Sequence, residues 1–254
     1  MQRFRKQRLL TIAGHDPSGG AGITADLRLW HLLNVVGESI LSCYTIQNEE
    51  ECVKIIPVSE EDIIQQYDCL TKEIHYPFIK IGMFKDLSTL DSVLEYIRSK
   101  DELITIVWDP IIVTSSGLNT FDDLSYLPNV LAKVDYITPN ISEWEIIRSY
   151  ISAEFKLVCI VKGYNAFDNI YEDNDITFCD AAIDSNLSEI EFSKFVGPCG
   201  DRHGSGCIYS SSFTYRLTKT DEMYKYLNFA QKITRQYKRY GWEGINEEKE
   251  EDCN

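Results

Sequence analysis

Short apolar runs rich in β-branched residues alternate along this chain with longer stretches in which apolar positions recur every three or four residues. The first pattern is typical of strands buried on both faces, and the second of helices with one apolar face. Strands are predicted at 8–13, 39–46, 78–83, 103–108, 134–137 and 156–161. Helices are predicted at 22–33, 59–71, 86–100, 122–131, 142–152, 205–217 and 221–240. The alternation indicates repeated βα units around a mainly parallel sheet.

The region before the last two helices departs from this pattern. Between residues 169 and 196 the apolar runs become more closely spaced, and Asn174 with Asp175 has the composition of a hairpin turn. The sheet is therefore expected to gain antiparallel strands there. No repeat, linker or change of composition divides the chain, so residues 1–242 are predicted to form one domain. Residues 243–254 hold six acidic side chains and little apolar surface, and are predicted to be a disordered tail.

The balance of charge excludes some partners. The 254 residues carry 25 basic and 40 acidic side chains, a net charge of −15. An acidic surface repels the phosphates of nucleic acid, so nucleic acid is not an expected partner. No uncharged apolar run approaches the ~18 residues that a membrane-spanning helix needs, so no membrane partner is expected either. The eight cysteines form no CxxC pair and no export signal precedes the first strand, which predicts a cytoplasmic protein with mostly free thiols.

A glycine-rich turn follows the first predicted strand. Its sequence is GHDPSGGAG, from Gly14 to Gly22, and a helix is predicted to begin at its end. Glycines allow backbone amides to approach an anion at a helix N-terminus. The spacing of Gly14 and Gly19 matches a Walker A loop, but Gly20 stands where that loop has its lysine, which excludes it. The alternative is a tight strand–helix turn without a ligand.

Polar residues follow several other predicted strands. Asp109, Asn140, Glu143 and Lys162 lie where the carboxyl ends of parallel strands would meet, which is where ligands bind in open α/β sheets. Carboxylates there are suited to hold Mg²⁺, and a lysine is suited to neutralise phosphate. Taken one at a time, the acidic and amide residues have an alternative role as helix caps, and the lysine as a solvated side chain.

The segment 203–207, HGSGC, opens a predicted helix. Its two glycines expose successive N–H groups, an arrangement that stabilises the charge on a transferred phosphoryl group. Cys207 falls in the first turn, where the helix dipole is expected to lower the pKa of its thiol. A competing hypothesis is a zinc site formed by Cys199, His203 and Cys207, which are spaced four apart but lack an evident fourth ligand.

Taken in order, these motifs resemble those of the hydroxymethylpyrimidine/phosphomethylpyrimidine kinase family of thiamine biosynthesis, within the ribokinase-like kinases. The similarity extends over residues 8–240 and is most specific in the N-terminal segment 11–27. The shorter matches are Gln47-Asn48, Lys80-Ile81-Gly82-Met83, Asp109-Pro110, Thr138-Pro139-Asn140, Val161-Lys162-Gly163 and 203–207. The resemblance implies a three-layer α/β/α ribokinase-like fold with ATP as co-substrate and Mg²⁺ as cofactor. It also implies that the phosphoryl acceptor is a small aminopyrimidine alcohol or its phosphate.

The resemblance also assigns roles to single residues. The pyrimidine pocket would be lined by Gly14, Asp26, Gln47, Met83 and Ile111. The nucleotide phosphates and Mg²⁺ would be arranged by Asp109, Asn140, Glu143, Lys162 and Gly163, with the metal at Asp109 and Glu143. The catalytic group would be Cys207 as base, the anion hole of Gly204, Ser205 and Gly206, and Lys162. The role of Gln47 is also chemically reasonable, because one amide can accept from an exocyclic amine and donate to the adjacent ring nitrogen.

Two residues depart from the family pattern. Tyr164 replaces the second glycine after the phosphate lysine and is expected to narrow the nucleotide cleft. Arg202 replaces a threonine before His203 and is expected to place a cation beside the phosphate path. Two alternatives therefore stay open, a pyridoxal or pyridoxine kinase on the same fold and a catalytically silent vitamin-binding protein. The resemblance further suggests a homodimer.

Overall fold

The computed structural model describes residues 7–48, 51–113, 119–164, 177–196 and 202–247. Within these ranges, nine strands form one sheet in the order β3-β2-β1-β4-β5-β6-β7-β8-β9. The strands are β1 (Arg8–His15), β2 (Val36–Gln47), β3 (Cys52–Pro57), β4 (Phe78–Ile81), β5 (Thr105–Trp108), β6 (Tyr136–Ile137), β7 (Val158–Val161), β8 (Thr177–Asp184) and β9 (Glu189–Val196). The six central strands pair in parallel; in sheet order they are β2, β1, β4, β5, β6 and β7. At the two edges, β3 and the β8–β9 hairpin pair antiparallel. The mainly parallel sheet is as predicted.

Helices cover both faces of this sheet. They are α1 (Gly22–Leu32), α2 (Glu60–Thr71), α3 (Leu87–Lys100), α4 (Leu127–Leu131), α5 (Ile141–Ile147), α6 (Ser205–Leu217) and α7 (Met223–Tyr240), with short 3-10 turns at Arg148–Tyr150 and Gly241–Gly244. The apolar sides of α2, α3, α4 and α5 pack on one face, and those of α1, α6 and α7 on the other. This arrangement confirms the three-layer α/β/α prediction. Among the described helices, none has the length and apolar character needed to cross a membrane.

Local side-chain chemistry determines where several helices begin. Ser59 caps α2, because its hydroxyl accepts a hydrogen bond from the Asp62 amide at 3.1 Å. Asp86 caps α3 in the same way, accepting from the Thr89 amide at 2.7 Å. These caps satisfy amides that have no partner within the helix. The Ser59 cap agrees with the start of the helix predicted at 59–71.

Strand β3 is the element that the sequence pattern does not predict. It pairs antiparallel with β2 at the edge of the sheet, and β2 extends beyond the predicted 39–46 on both sides. Val53 on β3 is 66% exposed, so the strand shows no clear alternation of apolar and polar positions. Backbone pairing with β2, rather than burial of side chains, therefore defines this strand.

The antiparallel strands expected after β7 are present as the β8–β9 hairpin. Its turn lies at 185–188, where the Asp184 carboxylate accepts hydrogen bonds from the amides of Asn186 and Ser188, both at 2.9 Å. Leu187 in this turn has a left-handed backbone, with φ of 60°. The turn predicted at Asn174 and Asp175 lies outside the described residues.

The beginning of the acidic tail is packed against the protein. The Tyr215 hydroxyl donates to the Glu247 carboxylate at 2.8 Å, and Lys232 donates to the Glu247 carbonyl at 2.9 Å. The Asn246 amide donates to Gln236 at 3.0 Å. The prediction of disorder therefore does not hold for residues 243–247, because Ile245 packs against the apolar cluster of α1, α6 and α7 and the polar groups find partners on α6 and α7. Residues 248–254 lie outside the described residues.

Candidate active site

A cavity of about 340 Å³ lies at the carboxyl ends of the parallel strands. Most of the residues that the sequence places in the site line it. These residues are Gly14, Gln47, Met83, Asp109, Ile111, Asn140, Glu143, Lys162, Gly204, Gly206 and Cys207. They come from the ends of different strands and from the starts of α5 and α6, so the parallel sheet brings them together.

Three predicted site residues do not line this cavity. Ser205 is the first residue of α6 and lies between two lining glycines. Gly163 follows Lys162, and its N–H donates to the Asp180 carboxylate at 2.9 Å instead of facing the cavity. Asp26 is fully buried. The expectation that Asp26 lines the pyrimidine pocket is therefore wrong, because its carboxylate has no exposed surface.

The glycine-rich turn between β1 and α1 holds a carboxylate of the protein itself. The Asp16 side chain accepts hydrogen bonds from the backbone amides of Ser18 and Ala21, both at 2.8 Å. The Gly19 amide donates to the Asp16 carbonyl at 3.1 Å. The amides of this turn are expected to face an anionic ligand, but those of Ser18 and Ala21 bind the Asp16 carboxylate instead. The turn is therefore a shaped wall of the cavity rather than a phosphate loop.

A link between Asp16 and His203 joins this turn to the start of α6. The His203 Nε2 lies 2.8 Å from the Asp16 carboxylate. Burial opposes the ionisation of Asp16, but the hydrogen bonds from His203 and Ser18 outweigh it and hold the pKa of Asp16 well below its ordinary value. The backbones also touch, because a Cβ at Gly204, where φ is 80°, would lie 1.8 Å from the Gly20 carbonyl oxygen. Only glycine fits there.

The two motifs that contain Asp16 and His203 are evident in the sequence, but no role is predicted for Asp16, and His203 is considered only as a ligand in the competing zinc hypothesis. The two are far apart in the chain and meet because α1, which follows the turn of Asp16, packs against α6, which follows His203. An acidic residue inside a glycine-rich turn and a histidine before a glycine-rich helix start are the signals that sequence reasoning missed.

A charged cluster lies on the other side of the cavity. Asp109 accepts from Lys162 at 2.9 Å, from Thr138 at 3.2 Å and from Ser210 at 3.0 Å. Burial works against both charges, but Lys162 keeps the pKa of Asp109 low, and Asp109 keeps the pKa of Lys162 high. A Cβ at Gly206 would lie 3.5 Å from the Lys162 ammonium. The start of α6 and this lysine therefore face the same volume, which suits an anion.

Asn140 and Glu143 form a capping box at the start of α5. The Asn140 side chain accepts from the Glu143 amide and the Glu143 side chain accepts from the Asn140 amide, both at 2.9 Å. The other carboxylate oxygen of Glu143 accepts from the Ile112 amide at 3.4 Å. Burial, with a smaller contribution from the charge of Asp109, raises the pKa of Glu143 to about 7. The cap alternative is thus correct for both residues, although they also line the cavity.

Cys207 lies in the first turn of α6 and is 5% exposed. Burial raises the pKa of its thiol to about 11; the charge of Lys80 opposes this rise, and the charges of Asp109 and Asp26 add to it. The prediction of a lowered thiol pKa is therefore wrong. A helix dipole acts mainly on groups in contact with the helix end, and here desolvation and two buried carboxylates outweigh it.

A second aspartate–lysine pair lies beneath Cys207. The Lys80 ammonium is 3.0 and 2.9 Å from the two oxygens of the Asp26 carboxylate, and neither side chain is exposed. Lys80 is part of a matched motif, but the sequence gives it no role. A lysine in the otherwise apolar strand Phe78–Ile81 is the signal for a buried charge with a partner elsewhere.

The donors around the cavity fit a metal that arrives with its ligand. Within the described residues, no three His, Cys, Asp or Glu side chains converge on a metal-sized site. Mg²⁺ bound to nucleotide phosphates keeps several waters and needs one or two protein carboxylates. Both carboxylates already accept hydrogen bonds, Asp109 from Lys162, Thr138 and Ser210, and Glu143 from two backbone amides. The bond between Asp109 and Lys162 is the one that a phosphate oxygen is suited to replace, so Asp109 is the better candidate for this role. Of the three residues in the zinc hypothesis, His203 is bonded to Asp16 in this structure, and Cys199 lies outside the described residues.

The two residues that depart from the family pattern point away from the cavity. Burial raises the pKa of Tyr164, and its hydroxyl interacts with Glu189 on β9. The Arg202 guanidinium lies 5.5 Å from the centre of the Tyr237 ring, on the side of α7. Neither residue lines the cavity. The expectation of a cation beside the phosphate path is therefore wrong for Arg202, because an aromatic ring of α7 draws the guanidinium away.

Known proteins resemble this chain in sequence. A family model described as phosphomethylpyrimidine kinase matches residues 16–248. A hydroxymethylpyrimidine/phosphomethylpyrimidine kinase of Bacillus subtilis is 29% identical over 251 residues, covering 90% of this chain and 88% of its own. The bifunctional thiamine biosynthesis protein ThiDN of Methanocaldococcus jannaschii is 26% identical over 217 residues, which are 83% of this chain but only 48% of that longer protein.

Solved structures agree with the fold. A phosphomethylpyrimidine kinase from Clostridium difficile has a TM-score of 0.69 at 23% identity, covering 89% of this chain and 96% of its own. A pyridoxal kinase from Staphylococcus aureus, solved with AMP-PCP and pyridoxal, has a TM-score of 0.71 at 20% identity, covering 92% and 88%. The family match confirms the resemblance drawn from the motifs. The chain belongs to the phosphomethylpyrimidine kinase family and is a phosphotransferase.

Proposed function

We propose that this protein transfers the γ-phosphoryl group of ATP to 4-amino-5-hydroxymethyl-2-methylpyrimidine or to its monophosphate, which leads to the diphosphate used in thiamine biosynthesis. The observation that carries this proposal is a cavity with two chemically different sides. Gln47 lies on the side of β2, and Lys162 with the glycines of α6 lies on the side of β7. The first side suits the donor–acceptor edge of a ring, and the second suits a phosphoryl group.

The side near β2 is shaped for a flat ring. The side chains of Met83 and Ile111 supply apolar contacts beside the Gln47 amide. Position 14 has no room for a side chain, since a Cβ there would lie 2.8 Å from the Cys43 sulfur and 3.6 Å from the Met83 Cβ. A volume of about 340 Å³ suits one small ring with its substituents.

The side near β7 supports phosphoryl transfer by charge and position. Bound MgATP would supply the transferable phosphoryl group and part of the charge neutralisation. Lys162 faces the volume in front of Gly206 and is suited to exchange its bond with Asp109 for one with a phosphate oxygen. Backbone amides at the start of α6 are suited to bind the charge that develops on the transferred group. Asp109 Oδ1 then accepts only from Thr138 and has a lone pair available for the metal or its waters.

Cys207 lies where the acceptor hydroxyl would meet the start of α6. With a pKa of about 11, its thiol is protonated at neutral pH and positions the hydroxyl before it takes any proton. A metal or its waters at Asp109, brought by bound MgATP, would neutralise that carboxylate and so remove one cause of the raised pKa of Cys207. Loose phosphoryl-transfer transition states need little early deprotonation, so positioning carries more of the rate than the base does.

Pyridoxal is the second candidate acceptor. The pyridoxal kinase of S. aureus has a TM-score of 0.71 over 92% of this chain, so the same fold is compatible with that ring. Gln47 favours the aminopyrimidine, because its amide matches a donor next to an acceptor, which pyridoxal does not offer in the same arrangement. Fold similarity alone does not determine the substrate.

The test is ADP release from MgATP with hydroxymethylpyrimidine, its monophosphate and pyridoxal as parallel acceptors. We expect release with the two pyrimidines and a kcat/KM for pyridoxal lower by about tenfold or more, the cost of one unmatched hydrogen bond. Asp109→Asn serves as the inactive control. Release with pyridoxal alone would assign the second candidate, and release with none of the three would refute both.

A further inference from the structure

The N-terminal ends of two helices, α1 and α6, lie next to Cys207. Helix α1 starts at Gly22, whose backbone N–H is one of the groups that lower the pKa of the Cys207 thiol, and α6 starts two residues before Cys207. One turn further along each helix, Asp26 of α1 and Ser211 of α6 are joined by a hydrogen bond of 2.5 Å between the serine hydroxyl and the carboxylate. The two helix starts are therefore joined one turn below Cys207.

The hydrogen bond between Asp26 and Ser211 belongs to a fully buried polar cluster. Besides Ser211, the Asp26 carboxylate accepts from the Thr11 hydroxyl at 2.6 Å and from the Lys80 ammonium at 3.0 and 2.9 Å. All four side chains are fully buried. They come from β1, β4, α1 and α6, so this cluster fixes the two helices to the two central strands. The Lys80 ammonium is also closely packed against Gly82, because a Cβ at Gly82 would lie 3.2 Å from it.

Stability alone does not explain the cluster. Burial of an ion pair removes both charges from water, and replacing such a pair by apolar residues of similar volume is often neutral or stabilising. The cluster lies instead where its charges act on the thiol above it. Burial raises the pKa of Cys207, and the charge of Lys80 is the largest influence that lowers it, while Asp109 and Asp26 raise it.

We propose that Lys80 and Asp26 are positioning residues for phosphoryl transfer: they hold the starts of α1 and α6 around Cys207, and Lys80 directs a positive charge at its sulfur. This inference rests on the proposed function of the site. Neither residue reaches the cavity, so both act through Cys207 and the amides at the start of α6. Turnover is therefore sensitive to the pair, and substrate binding is not.

The first test compares turnover in a neutral pair and in a matched control. Asp26→Asn combined with Lys80→Met removes both charges and leaves no unpaired ion in the core. The control, Asp91→Asn combined with Lys133→Met, removes a pair on the other face of the sheet that has 16% and 21% exposure. We expect kcat to fall about ten- to a hundredfold in the Asp26/Lys80 variant, with KM for the acceptor within about threefold and no change in the control.

A purely structural role makes a different prediction. A folded Asp26/Lys80 variant, judged by thermal unfolding and near-ultraviolet dichroism, that keeps full kcat would overturn the proposal. If this variant does not fold, Ser211→Ala keeps the ion pair and removes only the hydrogen bond from the Ser211 hydroxyl to Asp26. We expect kcat to fall about three- to tenfold in Ser211→Ala, and an unchanged kcat there would equally overturn the proposal.

The second test follows the thiol and needs no substrate. The rate of Cys207 alkylation by iodoacetamide at pH 9, measured by peptide mass spectrometry, reports the thiolate fraction. Lys80→Met is expected to slow alkylation about threefold or more, and Asp26→Asn to accelerate it, since their charges act on the sulfur in opposite directions. Acceleration in both variants would indicate loosened packing and refute the electrostatic role. Because alkylation needs no acceptor, its outcome is independent of whether the proposed substrates are correct.

Discussion

Two aspartate–lysine pairs lie side by side in this protein and differ in their access to the cavity. Asp109 and Lys162 are 2.9 Å apart, with 3% and 16% of their side chains exposed. Asp26 and Lys80 are also 2.9 Å apart, with no exposure of either side chain. Each aspartate accepts a hydrogen bond from a serine of α6, and the two serines are consecutive. The pairs thus share their chemistry and their supporting helix.

The difference in exposure separates their roles. A lysine that faces the cavity is able to exchange its carboxylate partner for a phosphate oxygen, and the released carboxylate is then able to bind a metal or its waters. A sealed pair has no such exchange, so it acts only through the position of the elements it joins and through its field. Identical residue types beside one site therefore differ in function because one pair is open to ligand and the other is not.

The largest effect is expected when the pair that faces the cavity, Asp109 and Lys162, is broken. Lys162→Met is predicted to lower kcat by about a hundred- to a thousandfold, because it removes a preformed positive charge from the phosphoryl site. Steady-state ADP release measures this loss, and Lys133→Met, a lysine paired with Asp91 on the other face of the sheet, is the control. The comparison fails if Lys80→Met lowers kcat more than Lys162→Met does in two equally stable variants.

A smaller loss is expected at Cys207, which lies between the two pairs. Cys207→Ala is predicted to lower kcat about a hundredfold, the lower end of the range for a general base, because the thiol is protonated at neutral pH. Cys207→Asp is expected to recover part of the loss, since a carboxylate accepts the same proton. At pH 7, iodoacetamide is expected to modify the exposed Cys69 before Cys207. Full turnover in Cys207→Ala would end its role as base or positioning group.

The next effect concerns binding rather than turnover and lies on the other side of the cavity. Gln47→Leu is predicted to raise KM for hydroxymethylpyrimidine about ten- to a hundredfold with little change in kcat, because ring donors and acceptors are left unpaired. Gln65→Leu on α2, where the amide bonds to Glu61, is the control. An unchanged KM would remove Gln47 from the ring pocket.

The smallest expected effect is a pH dependence of stability beside the open pair. The pKa of Glu143 rises from 4.5 to about 7 in the folded protein. Between these values the folded protein holds a proton that the unfolded chain has lost, so the stabilisation is complete below pH 4.5 and disappears as the pH rises through about 7. Relative to Glu143→Gln, the free energy of unfolding of the wild type is expected to fall by roughly 2 kcal/mol from pH 5 to pH 8.

Urea unfolding at both pH values measures this difference. Glu145→Gln is the matched control on the same helix, since Glu145 is 52% exposed and paired with Arg148. A wild type whose stability relative to Glu143→Gln is the same at pH 5 and pH 8 would show that Glu143 ionises normally.

The elements of the fold were largely predictable because their signals are local. The period of apolar positions and a cap such as Ser59 act within a few residues, so helices and central strands follow from the sequence. The edge strand β3 was not predictable in this way, since it depends on backbone pairing with β2 and hardly on burial. Motif order was enough to indicate the family and most of the residues that line the cavity.

The partners and charges within the site were decided only by the tertiary structure. Asp16 binds His203 across 187 positions of the chain, and Lys80 binds Asp26 across 54. These contacts determine that the glycine-rich turn holds its own carboxylate, that Asp26 is sealed from the cavity, and that the thiol of Cys207 is hard to ionise. Residue types and spacing determine which chemical groups are present, whereas desolvation and long-range pairing, which no local pattern encodes, determine their protonation and their access to a ligand.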